Sequence, residues 1–132
     1  MIMNQLNAAR PFKVISIDPT RRVVEEIELN ANSLRAIYDH IGCQCIDIVC
    51  RQPNGDALTV DDEALLVEPQ PPAFQFDGYY GRIHGIAIVT GCDDEGNTIA
   101  PASTVEEIRQ KVKFIGDVYT QPCIMVISFN WP

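Results

Sequence analysis

Histidine and basic residues are scarce in this chain, and several familiar patterns are missing. There are only two histidines, His40 and His84. No Gly-x-Ser-x-Gly elbow, phosphate-binding loop or Gly-x-Gly-x-x-Gly turn occurs, which leaves nucleophilic catalysis with little support. No apolar run approaches the roughly 18 residues of a membrane span. The segment Met1–Arg10 has neither a basic start nor an apolar stretch, so a secretory signal is not expected. Ten Lys and Arg stand against eighteen Asp and Glu, a formal net charge of −8. Nucleic-acid surfaces replace phosphate counterions with their own cations, so direct nucleic-acid binding is not expected, nor is binding to an anionic membrane. Acidity of this kind serves solubility and permits a basic partner.

The cysteines are Cys43, Cys45, Cys50, Cys92 and Cys123, an odd count. Without an export signal this predicts reduced thiols and a cytoplasmic protein. A hydrophobic fraction of 46% in 132 residues is enough for a core without staples, and one domain spanning 1–132 is expected.

Along the chain, Phe12–Asp18 and Val23–Leu29 read as a hairpin around Pro19-Thr20-Arg21-Arg22, with the glutamates of the second strand facing water. Asn32 or Ser33 can cap a helix whose apolar face is Leu34, Ile37, Tyr38 and Ile41, and Gly42 stops it. Cys45–Arg51 reads as a buried strand, and Asn54-Gly55 as a hairpin turn into Ala57–Asp61. Residues 68–84, opening on Glu68-Pro69-Gln70-Pro71-Pro72, read as the longest loop. Gly85–Gly91 reads as a core strand, with Asp93–Asn97 as a turn and Thr98–Ala100 pairing back.

Ser103 and Thr104, three residues before Glu106 and Glu107, form a capping-box pattern. It opens a helix with Val105, Ile108, Val112 and Ile115 on one face, ending at Gly116. Glu107 and Lys111 are spaced for an i,i+4 pair. Cys123–Phe129 reads as the last strand. The order ββα-ββ-β-α-β lacks βαβα alternation. It predicts an α+β fold, a mixed, mostly antiparallel sheet with two helices packed on it.

Three constellations bear on chemistry. Tyr79-Tyr80-Gly81-Arg82-x-His84 sets aromatic rings, a guanidinium and an imidazole beside flexible glycines, a set able to stack on a base or hold a phosphate. The alternative is a group of aromatic plugs pinning a loop to the core. His40, Cys43 and Cys45 are the candidate zinc or thiol group, with Cys50, His84 or Cys92 as a fourth ligand and His40 as an activator of Cys43. A structural role for these residues is expected instead, with no cofactor. Asp61-Asp62-Glu63 and Asp93-Asp94-Glu95-Gly96-Asn97 offer clustered oxygens, but they stand where turns are needed and do not match a calcium loop.

Several segments resemble an uncharacterised family of small proteins from bacteriophages, plasmids and bacterial genomes, across about residues 41–114. They are Ile41-Gly42 leading into Cys45-Ile46-Asp47-Ile48-Val49, then Val60-Asp61-Asp62-Glu63-Ala64-Leu65-Leu66, then Gly85 through Gly96. That family tends to have glycine where Ala64 stands. The resemblance supplies no catalytic residue. It implies a mobile-element accessory protein that blunts a host defence.

The leading expectation is a non-enzymatic protein that binds a host protein in the host cytoplasm. The second is a nucleotide-signal binder using Tyr79, Tyr80, Arg82 and His84. The third is an enzyme using metal or thiol at His40, Cys43 and Cys45. Edge strands in so small a sheet leave a homodimer open.

Overall fold

The computed structural model describes residues 11–122. Its elements are β1 (Phe12–Asp18), β2 (Val23–Leu29), α1 (Leu34–Ile41), β3 (Ile46–Val49), β4 (Ala57–Asp61), β5 (Ala73–Phe76), β6 (Arg82–His84), β7 (Ala87–Cys92), β8 (Thr98–Ile99), α2 (Val105–Lys111) and β9 (Val112–Gly116). A short 3-10 helix covers Ala64–Leu66. All pairings are antiparallel. The larger sheet runs β2-β1-β7-β4-β3, with β8 also on β7; the smaller runs β6-β5-β9. The α+β class, the antiparallel sheets and the two helices match the expectation from sequence.

The larger sheet is covered on both faces, which explains the burial of nearly every residue of β1. Ile15, Ile17, Leu58, Ala87 and Val89 share one core cluster with Phe74, Phe76 and Ile83 of the smaller sheet and Ile108 of α2. Phe12, Val14, Leu29 and Ile88 pack on the other face around Ile37 of α1. Alternation along a strand sends successive side chains to these two clusters. Each fully buried aliphatic side chain contributes roughly 1.5–3 kcal/mol.

Local chemistry sets the element ends. Asp18 Oδ1 accepts the N–H groups of Thr20 and Arg21 and so closes the first turn. Ser33 Oγ caps α1, and Gly42, at φ 82°, donates its N–H to the Tyr38 carbonyl. The capping box on α2 is Thr104 with Glu107.

Four readings need correction. First, among the described residues β3 is an edge strand with Asp47 and Ile48 exposed, not a buried one, because β4 alone pairs with it there. Second, residues 68–84 are not one long loop. Phe74-Gln75-Phe76 alternates inward and outward, and Gly78, at φ 91°, turns β5 into β6. Third, α2 ends at Lys111 rather than running to Gly116. Val112 and Phe114 alternate into the core with period two as β9, paired to β5. Fourth, Lys111 Nζ donates to Gln52 Oε1 at 3.0 Å instead of pairing with Glu107, whose carboxylate is engaged in the capping box. The Asn54-Gly55 hairpin turn forms as read, joining β3 to β4 with Gly55 at positive φ. The Gly55 N–H donates to the Gln52 carbonyl, and Gln52 N–H donates to Asp56. The strand expected at Cys123–Phe129 lies outside the described residues.

Candidate functional site

Of Tyr79, Tyr80, Arg82 and His84, the first, third and fourth border one cleft. It has a volume of about 160 Å³ and lies between the β3–β4 end of the larger sheet and β6. Tyr80 does not join them and stands 93% exposed on the outer side of the hairpin. The opposite wall of the cleft carries Asp47, Asp61 and Asp62. Three carboxylates facing one guanidinium make it an acidic place.

His84 is almost wholly buried, and both ring nitrogens are engaged. Nδ1 lies 2.7 Å from the Pro71 carbonyl, which can only accept, so Nδ1 carries a proton. Nε2 lies 2.7 Å from Thr120 Oγ1. The side-chain amide of Gln70 holds the same residue from the other side, donating to the Thr120 carbonyl at 2.7 Å and accepting its N–H at 2.8 Å. Arg82 Nη1 donates to the Tyr119 carbonyl at 3.0 Å. Together these bonds strap residues 119–120 across the proline-rich segment and β6. His84 is a keystone of this strap, a role that sequence spacing did not reveal.

Next to the strap is a groove of about 560 Å³, walled by Glu68–Pro72 on one side and Asp117–Tyr119 on the other. Leu66 and Val67 immediately precede its proline wall. They stand 67% and 45% exposed, and Tyr119 stands 58% exposed. Large apolar side chains in water beside a rigid, proline-rich wall are a feature that composition alone did not flag.

The structure does not bring His40, Cys43 and Cys45 together as ligands. Among the described residues, no three His, Cys, Asp or Glu side chains gather to hold a metal ion. His40 Nε2 lies 2.9 Å from Ser16 Oγ. Ser16 is fully buried in β1, so its hydroxyl cannot reach a substrate. Burial pushes the Cys43 and Cys50 thiols up, away from the reactive thiolate. The acidic turns are turns: Asp93 Oδ1 accepts the N–H groups of Glu95 and Asn97, and Asp61 Oδ1 accepts that of Glu63. Hydrogen bonds from Asn97 and its neighbours outweigh desolvation and hold the Asp93 carboxyl below its usual range.

Among the described residues, no helix is long and apolar enough to cross a membrane. The sequence model of a family described as "Domain of unknown function (DUF3846)" matches residues 12–113, and the chain belongs to that family. The chain matches no curated protein and no solved structure.

Proposed function

We propose that this member of the DUF3846 family is a non-enzymatic binding protein whose contact surface is the proline groove with its exposed Tyr119 and the exposed Leu66 and Val67 that precede its proline wall. The observation that carries this reading is the preorganisation of exposed apolar side chains. Leu66, Val67 and Tyr119 stand in water, while the Gln70–Thr120–His84 strap fixes the backbone beneath them. Anchors held in their bound geometry lose little conformational freedom on docking, and aromatic residues are prominent among interface hot spots.

The partner is a host protein, met in the host cytoplasm, and the carrier is a phage or plasmid. The resemblance to small mobile-element proteins supports that context, and blunting a host defence is the consequence for the cell. The inner cleft supports a small-ligand reading less well. At about 160 Å³ it falls below the roughly 300 Å³ at which small-molecule sites begin. Its three carboxylates oppose a phosphate, and His84 has no ring nitrogen to spare.

The test uses two baits in parallel in lysate of a bacterial host: the tagged chain and its Leu66→Asp, Tyr119→Ala variant. A host protein retained by the first and lost from the second is the expected result. Recovery of the same proteins by both baits, or of none by either, would sink this reading.

A further inference from the structure

Among the described residues, most arginines and lysines either pair with carboxylates or stand apart. Lys13, Arg21, Arg35 and Arg109 each lie within ion-pair distance of an Asp or Glu. Arg82, Lys111 and Lys113 take part in none of the ion pairs among the described residues, and they meet in one place. They line an open groove of about 540 Å³ on the outer side of the β5–β6 hairpin, together with Gln75, Tyr79 and Tyr80. Asp77 is the one carboxylate in its lining. Its lining therefore carries more cations than carboxylates in a chain whose formal charge is −8, with Arg82 bordering the acidic cleft as well.

Strand register builds this arrangement. Gln75 of β5 faces Arg82 of β6 on one side and Lys113 of β9 on the other. Residues directly opposite share a face of the sheet. Phe74 and Phe76 point into the core from the same strand, so Arg82 and Lys113 flank Gln75 on the outer face. The backbones of β6 and β9 are two strand spacings apart, about 10 Å, and both long side chains can reach one phosphate group there.

Among the described residues, the Lys111 ammonium hydrogen-bonds the neutral Gln52 amide and sits in no ion pair. The bond from Arg82 to the Tyr119 carbonyl uses one of the five N–H donors of the guanidinium. Tyr80 holds an aromatic ring in water at the mouth of the groove and contributes nothing to the core. A volume of about 540 Å³ suits a small molecule.

We propose that this outer groove binds a small phosphorylated compound with a planar ring, of the nucleotide class. Its phosphate lies on Arg82, Lys111 and Lys113 and its ring on Tyr80. The site adjoins the surface assigned to a protein partner, since Arg82 donates to the Tyr119 carbonyl, but uses different side chains. It also differs from the cleft suggested by residue spacing, because Lys111 and Lys113 take the place of His84. An open groove of this kind relies on charge, so binding weakens as salt rises.

The test is calorimetric titration of the full chain with adenosine 5′-monophosphate, adenosine and inorganic phosphate, each at low salt and at about 500 mM salt. The nucleotide is expected to bind at low salt, about tenfold or more tighter than either fragment, since both its phosphate and its ring find partners. Arg82→Glu with Lys113→Glu should weaken it at least about tenfold, and Tyr80→Ala about fivefold. Lys13→Glu, on the other sheet, should leave it unchanged. If the charge reversals disturb the far-ultraviolet circular dichroism, Arg82→Gln with Lys113→Gln takes their place. Four outcomes overturn the proposal: no nucleotide binding at millimolar concentration, equal binding by the groove variants, phosphate binding as tightly as the nucleotide, or a single-stranded oligonucleotide binding far more tightly than the mononucleotide.

Discussion

The carboxylate of Asp56 accepts the backbone N–H of Ser103 at 2.9 Å, joining positions 47 apart in sequence. Its other oxygen accepts the N–H of Ala102 at 2.9 Å, and the side chain is fully buried. Asn54 adds a bond from its amide to Ser103 Oγ. The turn after β3 thus fixes the chain just ahead of α2.

Asp56→Ala should cost about 2–3 kcal/mol, because it strands the buried Ser103 N–H and a part-buried one at Ala102. Asp56→Asn keeps an acceptor and should cost less. Urea denaturation of the three proteins checks the order.

Gly91→Ala should destabilise by about 1–3 kcal/mol. A Cβ there would sit 2.6 Å from the Ala100 carbonyl oxygen and 3.3 Å from Asp56 Oδ1. Because the near atom is backbone, the strand pairing of β7 with β8 must give way. Faster amide exchange at Thr98 and Ile99 is the expected signature, and unchanged exchange with unchanged stability would contradict the packing described.

His40 sets a pH window. Burial pushes its imidazole below the ordinary value of 6.5; Asp18 opposes this, Arg21 adds to it, and Glu25 opposes it. The fold favours the neutral ring, so the unfolded chain takes up the proton first as pH falls. The contribution of His40 is intact above 6.5 and declines as pH drops through that value towards the folded one. His40→Gln should flatten this decline in urea midpoints measured between about pH 5 and about pH 8.

The thiols of the described residues should separate into two classes. Cys45 and Cys92 are exposed, whereas Cys43 and Cys50 are half-buried. Burial raises both half-buried thiols; Asp61 raises Cys43 further, while Gln52 and Lys111 partly offset the rise at Cys50. Iodoacetamide followed by peptide mapping should find Cys45 and Cys92 modified first. Early modification of Cys50 would contradict its packing against the core.

The elements read most faithfully from sequence were those with a complete local signal. β1 and β2 alternate around an Asp-Pro turn, α1 has both caps, and α2 has its capping box. The misreadings share a cause. Prolines 69, 71 and 72 masked the four-residue alternation of β5, and Val112 fits helical spacing with Ile115 as well as strand spacing with Phe114. Tertiary pairing with β5 decided between the two periods. The site was legible only in part. Tyr79, Arg82 and His84 border one cleft, but the bonds that occupy His84 come from Pro71 and Thr120, and the latter is 36 positions away. Lys113 joins Arg82 only through the register of β5 with β9, which no sequence spacing reveals.

The central place of β7 governs how this chain is made as well as how it stands. β1 and β4 never pair with each other; both pair with β7, which starts at Ala87. Until that segment leaves the ribosome, the earlier two-thirds of the sheet exists as separate hairpins with unpaired edges. Assembly is therefore a late, long-range closure, slow for a chain of this size. Until closure, the nascent chain carries open strand edges that invite pairing with another chain.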